Sequence, residues 1–362
     1  MQLFIGIMSG TSLDGIDIAL CSFEANASQL LATHFVPYPE ALKLELLALH
    51  EASENELEAS TLMGNKIAAM YADAINSLLT TEKIDANKIT AIGSHGQTIR
   101  HRPELGFTLQ IGNSALLAEL TGITVISDFR SRDIAAGGQG APLVPAFHKA
   151  VFGSDQLNRA LINIGGIANI TYLSKSGYML GFDSGPGNML LDAWTKLHLG
   201  KPYDENGAWA STGIVLDSLL YDMLAEPYFA LPPPKSTGRD LFNDDWLKRH
   251  LLYPHLRSKD VARTLVELTA QSIHNALIKC DDVDEVYLCG GGARNTLLKN
   301  RLQTLLDNLK ISTTDDLGVG VDWVEAVAFA WLAKQTFDNK PGNLPAITGA
   351  KGLRVLGAIY PK

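Results

Sequence analysis

An α/β fold made of two domains of like plan is what this sequence predicts, and three observations carry the prediction. Apolar residues 3–7 and 16–23 flank a small polar loop and read as a strand hairpin; residues 160–164 and 169–173 repeat that plan around Gly165 and Gly166. After each hairpin, short apolar runs alternate with stretches of helical period, the pattern of sheets covered by helices. Several of those runs end in clusters of small polar residues, at the strand ends where open α/β sheets take their ligands. The expected domains are residues 1–145 and 146–362, with a cleft between them and the last helix able to pack back on the first domain.

The elements follow in order. Residues 55–79 place Leu57, Leu62, Ile67, Met70, Ile75 and Leu78 near a 3.6-residue period, predicting a helix. Strands at 89–93 and 124–127 end in SHGQT and DFRSRD. In the second half, a strand at 178–182 leads into DSGPGN and a helix at 189–199. A helix at 261–279, a strand at 285–288, the turn GGGARN and a helix at 296–309 come next, and a last helix covers 323–336. Residues 227–243, PYFALPPPKSTGRDLFN, hold too many prolines and polar residues for a regular element and read as a long loop of functional kind.

With 362 residues the chain is long enough to bury two cores of ordinary size. It is 46% hydrophobic and 19% charged, has no apolar run that spans a bilayer, and so reads as globular with no membrane partner. A formal charge of −9 argues against a nucleic-acid partner, which needs a broad basic face for counterion release. Cys21, Cys280 and Cys289 lack metal-ligand spacing and read as small buried hydrophobes in a reducing compartment. The start, MQLFIGIMSG, has no basic leader region, and a cytoplasmic protein is expected.

The first loop contains Ser9, Gly10, Thr11, Ser12, Leu13, Asp14, Gly15, Ile16 and Asp17, and no G-x-x-x-x-G-K-[ST] motif occurs in the chain. Gly10 and Gly15 let backbone amides approach an anion, and the hydroxyls add donors. Asp14 and Asp17 would repel a phosphate unless a divalent cation lay between them, which is where Mg²⁺ would enter. An ordinary polar turn is the plain alternative. The glycines of GGGARN, Gly290, Gly291 and Gly292, follow a strand and precede a helix, where amides bind phosphate or a flat base lies on the backbone. Three such glycines look hard to explain by packing.

Asp183 follows a strand and is stiffened by Gly185, Pro186 and Gly187, which suits a general base; a helix N-cap is the alternative. His95 and Gln97 stand at one strand end and Asp128, Arg130 and Arg132 at another. An arginine there grips an anionic substrate through its planar fork, or pairs with Asp128 or Asp133. His95 reads as structural before catalytic. Residues 135–148 read as a domain connection with backbone close to ligand. Glu325, on a helix otherwise apolar nearly all round, needs a partner or a ligand.

Two hairpins with small polar turns, a strand-end aspartate and a late GGG turn together resemble the actin, hexokinase and Hsp70 superfamily, with two ribonuclease H-like domains of mixed sheets flanked by helices. Within it, GIMSGTSLDGID, GSHGQT, ISDFRSRDIAAGGQGAPLVPAFH, NIGGIANIT, GFDSGPGNMLLDAW, PPKSTGRDLFN and VEAVAFAWLA resemble the anhydro-N-acetylmuramic acid kinase family over essentially the full length. That resemblance implies an enzyme of cell-wall recycling that uses ATP, Mg²⁺ and water to turn anhydro-N-acetylmuramic acid into N-acetylmuramic acid 6-phosphate. It implies that residues 10–17 bind ATP, that Asp183 is the general base, and that Gln97, Arg130 and Glu325 meet the sugar. It also implies a homodimer and leaves the metal ligands open between Asp14 and Asp17. A kinase for a free hexose or acetamido sugar, or an ATP-regulated binding protein of the actin or Hsp70 kind, are the competing readings.

Overall fold

The computed structural model describes residues 2–10, 13–24, 27–233, 235–251 and 255–362. The chain divides into two compact units, Met1–Val151 with Trp323–Lys362, and Phe152–Asp322. The first opens with strands β1 (Gln2–Met8), β2 (Gly15–Glu24) and β3 (Ala27–Pro37), followed by helices α1 (Glu40–Ala48) and α2 (Glu56–Glu82). Next come β4 (Ile89–Ser94), β5 (Gln97–Arg102), β6 (Phe107–Ile111), α3 (Ser114–Thr121), β7 (Val125–Ser127), α4 (Ser131–Ala135) and α5 (Val144–Phe152). The change of unit falls after Val151, within the last turn of α5, where the sequence reading puts a domain boundary after residue 145.

The second unit contains β8 (Arg159–Ile164), β9 (Ile167–Leu173), β10 (Met179–Pro186), α6 (Met189–Leu199), α7 (Asp217–Leu224), α8 (Pro227–Ala230) and α9 (Asp244–His250). Helix α10 (Ser258–Leu277), β11 (Glu285–Cys289), α11 (Thr296–Leu305) and β12 (Ile311–Thr313) complete it. The chain returns to the first unit as α12 (Val324–Phe337), α13 (Pro345–Thr348) and β13 (Ala358–Tyr360).

The larger sheet of the first unit runs β13-β7-β4-β1-β2-β3 and that of the second β10-β9-β8-β11-β12. Apart from the added edge strand β13, the two share one order. In each, three strands form an antiparallel meander, and the first of them also pairs in parallel with the next strand of the series. The repeat foreseen from two hairpins is therefore a repeat of whole sheets, flanked by helices, in the mixed α/β manner. Buried Ile, Leu and Val side chains from β1, β2 and β4 meet α2 in one core; those of β8, β9 and β11 meet α6 and α10 in another.

Glycine decides where α12 lies. A Cβ at Gly6 of β1 would collide with the Ala326 carbonyl, and one at Gly93 of β4 with the Phe329 carbonyl, so the helix rests its backbone on the sheet of the first unit. Ala326, Ala330 and Ala333 supply the matching small faces.

Several elements differ from the sequence reading. The segment Ala27–Pro37 is a third meander strand, and β10 continues through DSGP to Pro186 where a turn is expected. A register shift between Asp183 and Gly185 lets the strand carry those residues as a bulge, so Asp183 sits inside the strand. The 227–243 segment is not free of regular structure either, since Pro227–Ala230 is helical and Tyr228 and Phe242 are buried.

Candidate active site

In the first unit, side chains hold the loop between β1 and β2. Ser9 is fully buried; its hydroxyl donates to Gln97 Oε1 at 2.6 Å and shares a 3.0 Å hydrogen bond with the Tyr71 hydroxyl. Gln97, also fully buried, donates from Nε2 to the Gly10 carbonyl at 3.2 Å. Leu13 closes the turn with its N–H on that same carbonyl at 3.2 Å and adopts a left-handed φ of 59°. Gly15 is needed where β2 meets β3, since a Cβ there would collide with the Val36 carbonyl. Leu13 and Ile16 turn their side chains into the core, which leaves only their backbone for a ligand. Thr11 and Ser12 lie outside the described residues.

Asp14 is exposed and Asp17 half-buried. Among the described residues there is no group of three or more His, Cys, Asp or Glu side chains placed to hold a metal. An exposed carboxylate on the loop, Asp14, and a half-buried one early in β2, Asp17, are of the kind that would suit Mg²⁺, which binds through one or two carboxylates with substrate phosphates and water rather than in a cage.

At the end of β4, buried His95 accepts at Nε2 from Arg130 Nη2 at 2.9 Å and from Nε at 3.3 Å. Arginine only donates, so Nε2 carries the lone pair and Nδ1 the proton. Burial, with the Arg130 charge adding to it, holds the imidazole down to about 3, so it stays neutral and serves to orient the arginine. Arg130 also donates to the Gly140 carbonyl at 2.9 Å. Burial lowers Arg130 to about 10 while half-buried Glu325 opposes the shift, so the guanidinium remains a cation beside a carboxylate. His95, Arg130 and Glu325 thus come together; Gln97 is spent on the loop.

Neither Asp128 nor Asp133 takes the place of a partner for Arg130. Asp128 is exposed and accepts from Ser131 at 2.5 Å. Asp133 is fully buried, accepting from the Gly140 N–H at 2.8 Å, Asn343 Nδ2 at 2.7 Å and Thr348 Oγ1 at 2.8 Å. This carboxylate ties the glycine-rich run 135–148 to the C-terminal segment and so shapes the loop whose Gly140 carbonyl holds Arg130. Arg132 is exposed.

In the second unit, the turn between β8 and β9 is held mainly by backbone, with Asn188 Nδ2 on the Ile164 carbonyl at 3.2 Å as a side-chain addition. Gly187 N–H donates to the Gly166 carbonyl and Asn188 N–H to the Gly165 carbonyl, each at 2.8 Å, and a Cβ at Gly187 would collide with the Gly165 oxygen. The GGG turn lies against the end of β8. Packing accounts for two of its glycines: a Cβ at Gly290 would strike Asn163 Oδ1, and one at Gly292 the Ile164 side chain. Gly291 alone faces open space. The expectation that packing does not explain these glycines is corrected for Gly290 and Gly292 and stands for Gly291, where a flat or anionic ligand could lie on bare backbone. Arg294, pairing with Asp322, follows immediately.

Asp183 is half-buried and clasped by the 227–243 segment. Its Oδ2 accepts from the Thr237 N–H at 2.9 Å, its own N–H donates to the Lys235 carbonyl at 2.9 Å, and its carbonyl accepts from the Tyr228 hydroxyl at 2.7 Å. Burial raises its carboxyl to about 6, against the Thr237 hydrogen bond and the Lys235 charge. This carboxylate ionises near neutral pH and is fixed at both backbone and side chain, which suits proton abstraction rather than helix capping. Sequence reasoning does not find Tyr228, Lys235 and Thr237 individually; the only signal is the proline-rich segment that contains them.

A family model described as anhydro-N-acetylmuramic acid kinase matches residues 2–362. A protein of that description from Nitrosomonas europaea is 54% identical over 365 residues, covering 99% of this chain and 99% of its own. One from Nitrosospira multiformis is 53% identical over 361 residues, covering 99% and 98%. Among solved structures, the activator of 2-hydroxyisocaproyl-CoA dehydratase from Clostridium difficile with bound ADPNP aligns over 93% of this chain and 98% of its own. Its identity is 12% and its TM-score 0.47, too loose a likeness to bear on the reading.

Proposed function

The chain belongs to the anhydro-N-acetylmuramic acid kinase family, and on that premise we propose that it opens the 1,6-anhydro ring of anhydro-N-acetylmuramic acid and phosphorylates O6, with ATP as phosphoryl donor. The observation that carries the reading is Asp183, a clasped carboxylate raised to about 6 beside the strand bulge of β10. In the anhydro sugar O6 is tied to C1, so no hydroxyl is free to attack. Asp183 takes a proton from water as the water oxygen bonds to C1; the C1–O6 bond breaks, and O6 forms its bond to the γ-phosphorus as the bond to ADP breaks.

The Gly10 to Asp17 loop, the Gly165–Gly166 turn and the bare backbone at Gly291 are assigned to the nucleotide, through amides in place of a Walker lysine. Gly292 supports that last contact by letting the turn pack on Ile164. Asp14 or Asp17 would hold Mg²⁺, which when bound neutralises phosphate charge. Arg130, kept cationic and aimed by His95 and Gly140, is assigned to the lactyl carboxylate of the sugar, with Glu325 beside it. Gln97 supports the loop and through it the nucleotide. The product, N-acetylmuramic acid 6-phosphate, fits cell-wall recycling in the cytoplasm by a homodimer. Among the described residues, no helix is long and apolar enough to cross a membrane.

Turnover in ¹⁸O-labelled water tests the chemistry. Label should appear at C1 of the sugar phosphate, with ADP released for the anhydro sugar and far less for N-acetylmuramic acid or N-acetylglucosamine. Label in inorganic phosphate, or equal turnover of the free sugars, would overturn it.

A further inference from the structure

Lys235 makes contacts that a surface lysine has no reason to make. Its ammonium donates to the Tyr228 carbonyl at 2.9 Å and the Phe229 carbonyl at 3.4 Å, and it stands 4.3 Å from the centre of the Tyr228 ring. The tyrosine hydroxyl in turn donates to the Asp183 carbonyl, and the Lys235 carbonyl accepts the Asp183 N–H. The cation therefore folds back on α8 and fastens both ends of the clasp, with Thr237 two residues on holding the carboxylate itself.

We propose that Lys235 is a positioning residue for the reaction: bonded to the carbonyls of Tyr228 and Phe229 and stacked on the Tyr228 ring, it locks the 227–237 clasp around Asp183 and keeps that carboxylate ionised in the working enzyme. This rests on the reading of Asp183 as the base.

The charges around the pair are few. Lys235 opposes the burial that raises Asp183; Tyr228 and Thr237 are uncharged donors, and Thr269 and Ser272 of α10 bring no charge to that side of β10. Lys279, beyond the end of α10, donates to the Phe229 carbonyl at 3.2 Å and crowds Lys235. Burial, then Lys279, bring Lys235 down to about 8, while Asp183 opposes the change, so the ammonium is charged over the range where Asp183 ionises. Asp183 alone, buried as it is, would stay protonated further toward neutrality; the lysine's charge offsets part of that.

The test is the pH profile of kcat/KM for the anhydro sugar in wild type, Lys235→Met, Lys235→Arg and Asp183→Asn. Wild type should rise through an acid limb near pH 6, the value to which Asp183 is raised. Lys235→Met should move that limb upward by about one unit, the size of shift a neighbouring charge produces, so its loss is about fivefold deeper at pH 6 than at pH 8. Lys235→Arg, which keeps the charge, should bring the limb back toward wild type. A ¹³C-carboxyl titration of Asp183 in nucleotide-free protein should show the same displacement. A loss in Lys235→Met that is uniform across pH, with an unmoved Asp183 titration, would overturn the proposal. Substantial turnover in Asp183→Asn would instead overturn the assignment of the base, whatever Lys235 does.

Discussion

In the first unit the loop between β1 and β2 is fastened by side chains, Ser9 to Gln97 and Tyr71 and Gln97 to the Gly10 carbonyl. In the second, the turn between β8 and β9 is fastened mainly by backbone, with the Gly187 N–H on the Gly166 carbonyl and the Asn188 N–H on the Gly165 carbonyl, and with one side-chain donor, Asn188 Nδ2, on the Ile164 carbonyl at 3.2 Å. Sheets of the same strand order thus secure their opening hairpins by different means. A six-residue loop, residues 9–14, has slack that buried hydroxyl and amide groups must take up. A two-residue turn has none, and the glycine that packs against it, Gly187, directly follows β10, whose bulge lies between Asp183 and Gly185. On the assignments proposed above, nucleotide contact and proton abstraction would be closely linked in the second unit, whereas in the first the loop could be altered without touching a base.

The largest break in that comparison is Asp183→Asn. If the second unit supplies the base, turnover should fall by about 10²–10⁴-fold, the usual worth of a positioned acid or base, while nucleotide affinity by calorimetry stays near wild type. A fall of only a few-fold would remove the chemical difference between the units. The amide keeps an acceptor for the Thr237 N–H, so the clasp itself should survive.

Gly187→Ala is the next in size. The new methyl would meet the Gly165 carbonyl, and overpacking of this kind costs about 1–3 kcal/mol. Because about 1.4 kcal/mol is tenfold in an equilibrium, KM for ATP should rise about tenfold, with kcat also reduced since the strain reaches the bulge. An unchanged KM for ATP would mean that the turn does not hold phosphate and that the backbone fastening serves folding only.

How much of this was legible in the sequence follows from the range of each interaction. The hairpins, α6 and the sheet-led order are written in local period and turn residues, and so are Asp183 and the first loop. The clasp is not, because Tyr228 and Thr237 meet Asp183 across 45 and 54 residues of chain. Gly290 and Gly292 mislead for the same reason: the atoms that forbid their side chains belong to Asn163 and Ile164, on a strand far earlier in the sequence. DSGP reads as a turn because its residues are turn formers, and only pairing with β9 makes it a bulged strand. Asp133, Asn343 and Thr348 carry no motif, although their buried contacts organise the Gly140 loop.

Gln97→Ala is the smallest expected effect and the one that separates two roles for this residue. Family resemblance implies that Gln97 meets the sugar, whereas its hydrogen bonds place it under the loop between β1 and β2, which is proposed to hold ATP. Removing the amide leaves the Gly10 carbonyl without that donor and Ser9 with Tyr71 as its remaining side-chain partner, a loss of about 1–3 kcal/mol for buried groups left unpaired. The second unit does not share that cost, so only the transition of the first unit should move, down by about 2–12 °C at about 2–4 °C per kcal/mol. KM for ATP should rise a few-fold and KM for the sugar should hardly move. Gln97→Glu sharpens the point: it still accepts from Ser9 but sets a negative charge against the Gly10 carbonyl and the incoming phosphates, and should raise KM for ATP more than alanine does. The reverse pattern, a sugar KM that rises while that for ATP holds, would put Gln97 on the sugar and leave the first loop to its other contacts, Ser9 with Tyr71 and the backbone bonds of Leu13 and Tyr38.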